Sequence, residues 1–366
     1  MTLIKKRIGG DDYYYYVMIV EKGDQEQLVV TEIGKKGTDP NEFDQRRWVA
    51  LEEHGRKIKK LWLESQKEYH FENKPEYPDH DIDALLDIKY GYRTCKEELS
   101  PEEVKEFEEV LFVRYVYGTT TLEGNTYTES ETGELLNSGQ ISVTRSTTEA
   151  IEILNFKKAR NFVTNYNREI SEQFIRNIHS ILMKGLKKPD GSKIHLGTYR
   201  TEESKLKDIF YRPCPPDLIE TKMKYTIEEF YAGAKKSIHP IELACIFHQR
   251  FEEIHPFEDG NGRTGREVLN YILRRTGFPQ IYIPPSEHRF YFYSLTEGNK
   301  PNYVPLIDFV IHRMYQSLFY FLTRTGMSVD MFSKEFERYN EATEGKEEYK
   351  KFIELSEKFN AAGTLP

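Results

Sequence analysis

Several absences narrow the field before any motif is considered. Nowhere in the 366 residues is there an apolar run of 18, so no membrane-crossing helix is expected. The start Met1-Thr2-Leu3-Ile4-Lys5-Lys6-Arg7 lacks a signal-length apolar stretch, which makes the cytoplasm the expected location. The three cysteines, Cys95, Cys214 and Cys245, are far apart and show neither metal-ligand nor disulfide spacing. No internal repeat is found. Excess positive charge is also missing: a net charge of −8 and a pI near 5.8 argue against a general nucleic-acid binder. The length is enough for one sizeable core with accessory elements.

What is present centres on His255-Pro256-Phe257-Glu258-Asp259-Gly260-Asn261-Gly262-Arg263-Thr264-Gly265-Arg266. Upstream, Ala244, Phe247, Phe251 and Ile254 share one face at helical spacing. Pro256 cannot continue that helix and pushes His255 out of the right-handed helical region, so His255 should sit at the helix exit. Gly260 and Gly262 permit positive φ and close backbone approach to a ligand. Arg263 then opens a second helix with Gly265, Val268, Leu269 and Ile272 inward, ending near Gly277.

A helix N-terminus presents unpartnered N–H groups at the positive end of the dipole and is an anion site. Arg263 and Arg266 on its first turn are unfavourable by ~0.3–1 kcal/mol each unless an anion is there, so both are read as reaching one polyphosphate. Asp259 supplies the oxygen that magnesium prefers when shared with phosphates. His255 can take a proton from a hydroxyl. Together the parts suit transfer of a nucleotidyl or phosphoryl group to a hydroxyl.

The run matches the Fic signature His-x-Phe-x-Asp/Glu-Gly-Asn-Gly-Arg-x-x-Arg at all eight specified positions. The resemblance extends over roughly residues 100–315. It includes His239-Pro240, Gly197-Thr198-Tyr199-Arg200, Pro213-Cys214-Pro215-Pro216, Asn155-Phe156 with Ala159, and Ile178-His179. It implies a mainly α-helical Fic fold that transfers AMP from ATP to a hydroxyl of a target protein and releases pyrophosphate. By position, His255 would be the general base and Phe257 a structural anchor. Asp259 would hold magnesium between the α- and β-phosphates. Gly260, Asn261 and Gly262 would line the anion hole, with the Asn261 side chain on the α-phosphate. Arg263 would take the β-phosphate and Arg266 the γ-phosphate. Doc-type kinases carry a different turn and a lysine at the first arginine, which favours nucleotidyl transfer here.

A second segment points to regulation. Ser100-Pro101-Glu102-Glu103 is a helix start with a capping box, and the helix should bury Val104, Phe107, Val110, Leu111 and the stem of Arg114 through Tyr117. Gly118 and Thr119-Thr120-Thr121 weaken helix formation, and Gly124-Asn125 ends the element. Within it, Thr119-x-x-x-Glu123-Gly124 resembles the family's inhibitory pattern, which implies that Glu123 pairs with Arg266 and withholds it from the γ-phosphate. Such enzymes also run the reverse hydrolysis, so removal of AMP from modified protein is the alternative. A nucleotide-sensing protein with little turnover is a third reading.

The expected organisation is a small β element over 1–38, a helical region over 39–147, a catalytic core over 148–325 and a C-terminal helical tail over 326–366. Strands are expected at Tyr13–Val20 and Gln27–Ile33, with a turn at Lys22-Gly23-Asp24 and a linker from Gly34 to Pro40. Trp48, Leu51, His54, Ile58, Leu61 and Trp62 form an apolar helical stripe, and Pro75 to Asp81 reads as a second linker. Two helices lie within 148–188, with Ile153, Phe156, Phe162, Phe174, Ile178 and Leu182 as core candidates. The loop from Tyr199 to Pro213 occupies the place of the family's flap, which presents a target segment by strand addition. Tyr291-Phe292-Tyr293-Ser294-Leu295 followed by Asn299 resembles the family's adenine-side helix, which implies that Tyr291 lies against the base and Asn299 hydrogen-bonds it; the alternative is that Tyr291 and Leu295 are core. Leu306, Phe309, Val310, Met314, Leu318 and Phe319 mark an apolar helix. Residues 328–361 form a charged amphipathic tail, read first as a solvated helix and second as a partner or homodimer contact.

Overall fold

A computed structural model describes residues 2–22, 25–35, 69–73, 99–141, 145–188, 190–204 and 213–325, with short helical pieces between 42 and 57 and between 88 and 96. Trp48, Leu51, Ile58, Leu61, Trp62, Cys95, the linker at 75–81, most of the expected flap and the C-terminal tail lie outside the described residues.

The N-terminal segment is a three-stranded antiparallel sheet, β1 (Thr2–Ile8), β2 (Asp11–Lys22) and β3 (Gln25–Lys35), in that order. The four tyrosines form a two-faced strand, because side chains alternate across it. Tyr16 faces inward with Ile33 against Phe43 and Ala50, and its hydroxyl accepts from Arg47 Nε at 2.8 Å. His54, the described member of the expected apolar stripe, is buried against Thr31 with Nδ1 and Oγ1 2.9 Å apart. β1 is an addition to the two expected strands; its Lys5-Lys6-Arg7 run hides the pattern, yet it pairs along β2 from Thr2–Val17 to Ile8–Asp11. Gly34 belongs to β3 and not to a linker. It sits opposite Tyr14, beside an irregularity at Tyr14/Tyr15, with φ of 98°.

The remainder is helical: α1 (Pro101–Thr121), α2 (Glu129–Ser138), α3 (Thr147–Thr164), α4 (Glu172–Leu182), α5 (Ile219–Lys235), α6 (Pro240–Ile254), α7 (Asn261–Arg275), α8 (His288–Gly298) and α9 (Val304–Thr325). α6 and α7 pack together at the centre; α4 and α1 contact α7, while α5, α8 and α9 contact α6. The predicted inward faces are buried: Ala244, Phe247, Phe251 and Ile254 on α6, Val268, Leu269 and Ile272 on α7, and Leu306, Phe309, Val310, Met314 and Leu318 on α9. Phe162 is half-buried, whereas Ile153, Phe156, Phe174, Ile178 and Leu182 are fully inside. Cys245 is a free thiol in this core. No described helix is long and apolar enough to cross a membrane.

Three local outcomes differ from expectation. α1 stays helical through Gly118 and the threonines and ends at Thr121, short of the expected stop at Gly124-Asn125 in a helix near 101–124. Burial outweighs propensity there: Thr119 and Thr120 are about 1% exposed, and the Thr120 hydroxyl donates to Val116 O at 2.8 Å. Val104 and Val110 are only half-buried, their place on the inner face being taken by Phe112, Tyr115 and Val116. α2 and α5 are helices beyond those expected, although Thr128 and Glu131 form a capping box of the same kind as Ser100 and Glu103.

Gly118 shows why α1 tolerates a glycine in mid-helix. A Cβ there would lie 2.2 Å from the backbone oxygen of Ile283, which cannot swing aside as a side chain would. Gly118→Ala should therefore destabilise the protein by ~1–3 kcal/mol, the usual effect of overpacking. A lowered denaturation midpoint at unchanged m-value is the expected result, and an unchanged midpoint would show that α1 and the Ile283 segment can separate freely.

Candidate functional site

The site begins where α6 ends. His239 caps its start, with Nδ1 accepting from Ile241 N at 3.2 Å, and Pro240 follows. At the other end the His255 N–H still donates to Phe251 O at 3.0 Å, but His255 itself is left-handed, with φ 51° and ψ 60°. For a residue with a Cβ that conformation costs ~1–2 kcal/mol. Arg200 braces it: Nε donates to His255 O at 2.8 Å and Nη2 to Ile254 O at 3.3 Å and to Cys214 O, while its own N–H donates to Pro256 O at 2.9 Å. The Arg200 guanidinium thus satisfies carbonyls that a helix end leaves without partners.

The loop after His255 is held from below. Phe257 is fully buried and stacks on His179 with ring centroids 3.8 Å apart and planes 10° from parallel. His179 Nδ1 accepts from Gly197 N at 2.9 Å, so the ring proton lies on Nε2 and is donated to Asp259 O at 3.0 Å. Burial lowers the His179 pKa to about 4, so one neutral tautomer fixes the loop. Asn261 does not reach outward for an α-phosphate. Its Oδ1 accepts from Phe257 N and its Nδ2 donates to Phe257 O, both at 2.8 Å, so the amide clamps the turn. Glu258 is tied to Lys188 at 2.9 Å and to His195 Nδ1 at 3.1 Å.

The second helix starts at Asn261, earlier than the expected Arg263, with Gly260 left-handed at φ 76° before it. Gly262 needs no positive φ; its role is close approach. A Cβ at Gly262 would come within 2.7 Å of both Arg266 Nη1 and Glu123 Oε1. The Glu123 carboxylate therefore lies against the N-terminus of α7, where an anion belongs.

Both arginines are buried and matched by carboxylates. Arg266 Nη2 donates to Glu123 Oε1 at 2.6 Å, and Nε donates to Thr119 Oγ1 at 2.7 Å. The side chains are 4% and 26% exposed, respectively, for Arg266 and Glu123. Burial opposes the charge on Glu123, but Arg266 and then Arg263 outweigh it and hold the carboxyl below its usual range. Burial likewise works against the charge on Arg266, and Glu123 overrides it, raising the guanidinium further. Arg263 Nη1 donates to Glu152 Oε1 at 2.5 Å and Nη2 to Asp259 Oδ1 at 2.8 Å. Asp259 Oδ1 also accepts from Gly260 N at 2.6 Å.

Tyr291 and Asn299 take structural places. Tyr291 is 1% exposed, its hydroxyl 2.7 Å from His248 Nε2, and burial pushes its pKa upward. This burial, with the ring 5.9 Å from that of His248, accords with the core alternative. Asn299 ends α8 and accepts from Gln249 Nε2 at 2.7 Å. The described residues contain no cluster of three or more His, Cys, Asp or Glu able to hold a metal alone. Asp259, 34% exposed, remains a single carboxylate at the mouth of the loop, which suits an ion shared with phosphate oxygens.

Sequence reasoning passed over Glu152 and gave Arg200 only as part of a flanking run. Glu152 has no local signal, being one acid on an amphipathic helix; Arg200 had one, its place after Gly197-Thr198-Tyr199.

The Fic/DOC family matches residues 169–273. The chain is 29% identical over 201 residues to protein adenylyltransferase fic-1 of Caenorhabditis elegans, covering 54% of this chain and 38% of that protein. It is also 29% identical over 233 residues to protein adenylyltransferase Fic of Nematostella vectensis, covering 63% and 52%. The chain thus spans about half the length or less of these curated relatives. Its fold resembles that of a Fic domain-containing signalling protein from Bacteroides thetaiotaomicron, with a TM-score of 0.58 at 24% identity over 66% of this chain and 98% of the other. A Fic-1 structure from C. elegans gives a TM-score of 0.56 at 22% identity over 80% and 89%.

His255 yields a pH prediction. Burial first, and Arg200 second, lower its pKa to about 4, while Glu123 pulls the other way. The ring is therefore neutral at pH 7 and becomes imidazolium only as the pH falls towards 4. A nitrogen-15 titration followed by NMR should place His255 well below the ordinary 6.5, and Glu123→Gly should move the midpoint lower still. A midpoint at the ordinary value, or an upward move in the variant, would contradict this electrostatic arrangement.

Proposed function

We propose, from the site built around residues 169–273, which match the Fic/DOC family, that this chain is a self-inhibited protein adenylyltransferase. It would transfer AMP from ATP to a Ser, Thr or Tyr hydroxyl of a target protein or of itself. The observation that carries the reading is the Glu123 carboxylate, set 2.6 Å from Arg266 Nη2 against the glycine-rich start of α7. The activity assigned by name to the relatives supports it.

In the proposed reaction the target oxygen attacks the α-phosphorus while His255 removes its proton. The bond from that phosphorus to the oxygen bridging to the β-phosphate breaks, and pyrophosphate departs. Neutral His255 suits a base at pH 7 without prior deprotonation. The first-turn N–H groups of α7 face the place where negative charge gathers. Arg263 would hold the departing β-phosphate, and Arg266 the γ-phosphate once Glu123 is displaced. Asp259 would hold magnesium, which when bound would neutralise phosphate charge.

The four-part organisation over 1–38, 39–147, 148–325 and 326–366 is proposed with it, as are a cytoplasmic location and a target segment docked near 199–213. The C-terminal tail is proposed as a solvated helix, with a homodimer contact as the second reading. An enzyme mainly removing AMP is the runner-up, favoured by a carboxylate already placed beside the base, where it can orient water.

Glu123→Gly should free Arg266 and raise transfer tenfold or more, since close buried charge pairs couple by ~1.5–7 kcal/mol. Arg266→Ala breaks the same pair but removes the phosphate contact, so it should stay slow. The double variant should match Arg266→Ala, because Glu123 acts through that arginine. His255→Ala in the Glu123→Gly background should bind ATP normally yet lose ~10²–10⁴ in rate. Labelling with radioactive ATP reads all four. A Glu123→Gly enzyme no faster than the parent would remove the inhibition, and an undiminished His255→Ala would remove the base.

A further inference from the structure

Arg263, unlike Arg266, is not held by the inhibitory turn directly. Its buried partner is Glu152, on the second turn of α3, and the two side chains are 7% and 10% exposed. The oxygens of Glu152 have separate partners. Oε1 accepts from Arg263 Nη1 at 2.5 Å, and Oε2 accepts from Asn125 Nδ2 at 2.8 Å. Asn125 lies just after Glu123 and Gly124. It also donates to Glu149 O at 3.2 Å and accepts Tyr127 N at 3.1 Å, so this amide, together with Thr126 N donating to Glu149 Oε1 at 2.6 Å, docks the turn onto α3.

We propose that Glu152 is a positioning residue that orients Arg263 for the β-phosphate through one oxygen and anchors the inhibitory turn through the other. This rests on the adenylyltransferase reading above. Asp259, at the mouth of the loop, can exchange its arginine for another cation. Glu152 is enclosed on a helix and keeps its hold, which presents the guanidinium edge-on instead of letting it rotate. Removing the charge leaves Arg263 with one carboxylate and an Nε that is already buried without a hydrogen-bond partner. Asn125, in turn, decides how readily Glu123 leaves Arg266, because the turn that carries Glu123 is fastened one residue beyond Gly124. The two oxygens therefore separate two effects: affinity for a nucleotide bearing a β-phosphate, and the equilibrium between inhibited and released turn.

Three variants of the chain test this, using calorimetry with ADP and AMP and labelling with ATP. Glu152→Gln keeps the shape but not the charge. In the Glu123→Gly background it should weaken ADP binding about tenfold while leaving AMP, which has no β-phosphate, within twofold. Loss of ATP affinity should appear in KM more than in kcat, and Glu152→Asp should restore part of it. Asn125→Ala, with Glu123 intact, should leave ADP affinity within twofold and raise ATP transfer several-fold. Equal losses for ADP and AMP would show a merely structural carboxylate and overturn the proposal, as would an Asn125→Ala variant no more active than the parent. If the Glu123→Gly parent binds ADP but transfers nothing, the adenylyltransferase reading fails while the ADP–AMP comparison still judges Glu152. Should Glu152→Gln not fold, Glu152→Asp alone, with its shorter reach, should show a smaller but still ADP-selective loss, and an unchanged ADP-to-AMP ratio would overturn the proposal.

Discussion

Two guanidinium groups buried at the positive end of a helix are the constraint around which this molecule is arranged. Neither can stay there unmatched, because a buried charge without a partner is destabilising by several kcal/mol and the helix dipole adds to the penalty. The chain answers with Glu123, Glu152 and Asp259, drawn from three separate segments. Each has a different freedom to leave: Glu123 sits on a turn, Asp259 at a loop mouth, and Glu152 inside a helix packing. Affinity for an external anion and stability of the resting protein are thus two sides of one electrostatic balance.

The loop after His255 illustrates how much rigidity surrounds that balance. Phe257, His179 and Asn261 fix it by stacking and by hydrogen bonds that leave little slack, and Arg200 secures the strained backbone of His255. The polar groups most easily mistaken for ligand contacts are used for this purpose.

The helical core and the ordered run from His255 to Arg266 were legible because period, helix-end chemistry and residue order agree there. The Glu123–Arg266 contact was legible only through resemblance, since the two residues lie 143 positions apart. Other features depend on tertiary packing that no local pattern reports. The continuation of α1 through Gly118 follows from the nearby Ile283 backbone. Tyr291 at helical spacing reads equally well as core or as a face for a base, and only its contact with His248 separates the two. Asn261 points back to Phe257 because the turn needs both of its amide groups. β1 was hidden by its charged residues, which alternate with apolar ones too irregularly to announce a strand.

Arg200 joins three places at once: the start of the 201–213 loop, the carbonyl of Cys214 where that loop rejoins the described fold, and the carbonyls of Ile254 and His255. A loop whose two ends are stapled together at the base of the reaction centre is insulated from it. Closure entropy rises by only ~0.6 kcal/mol for each doubling of length, so residues can be inserted, deleted or exchanged between the staples while His255 keeps its place.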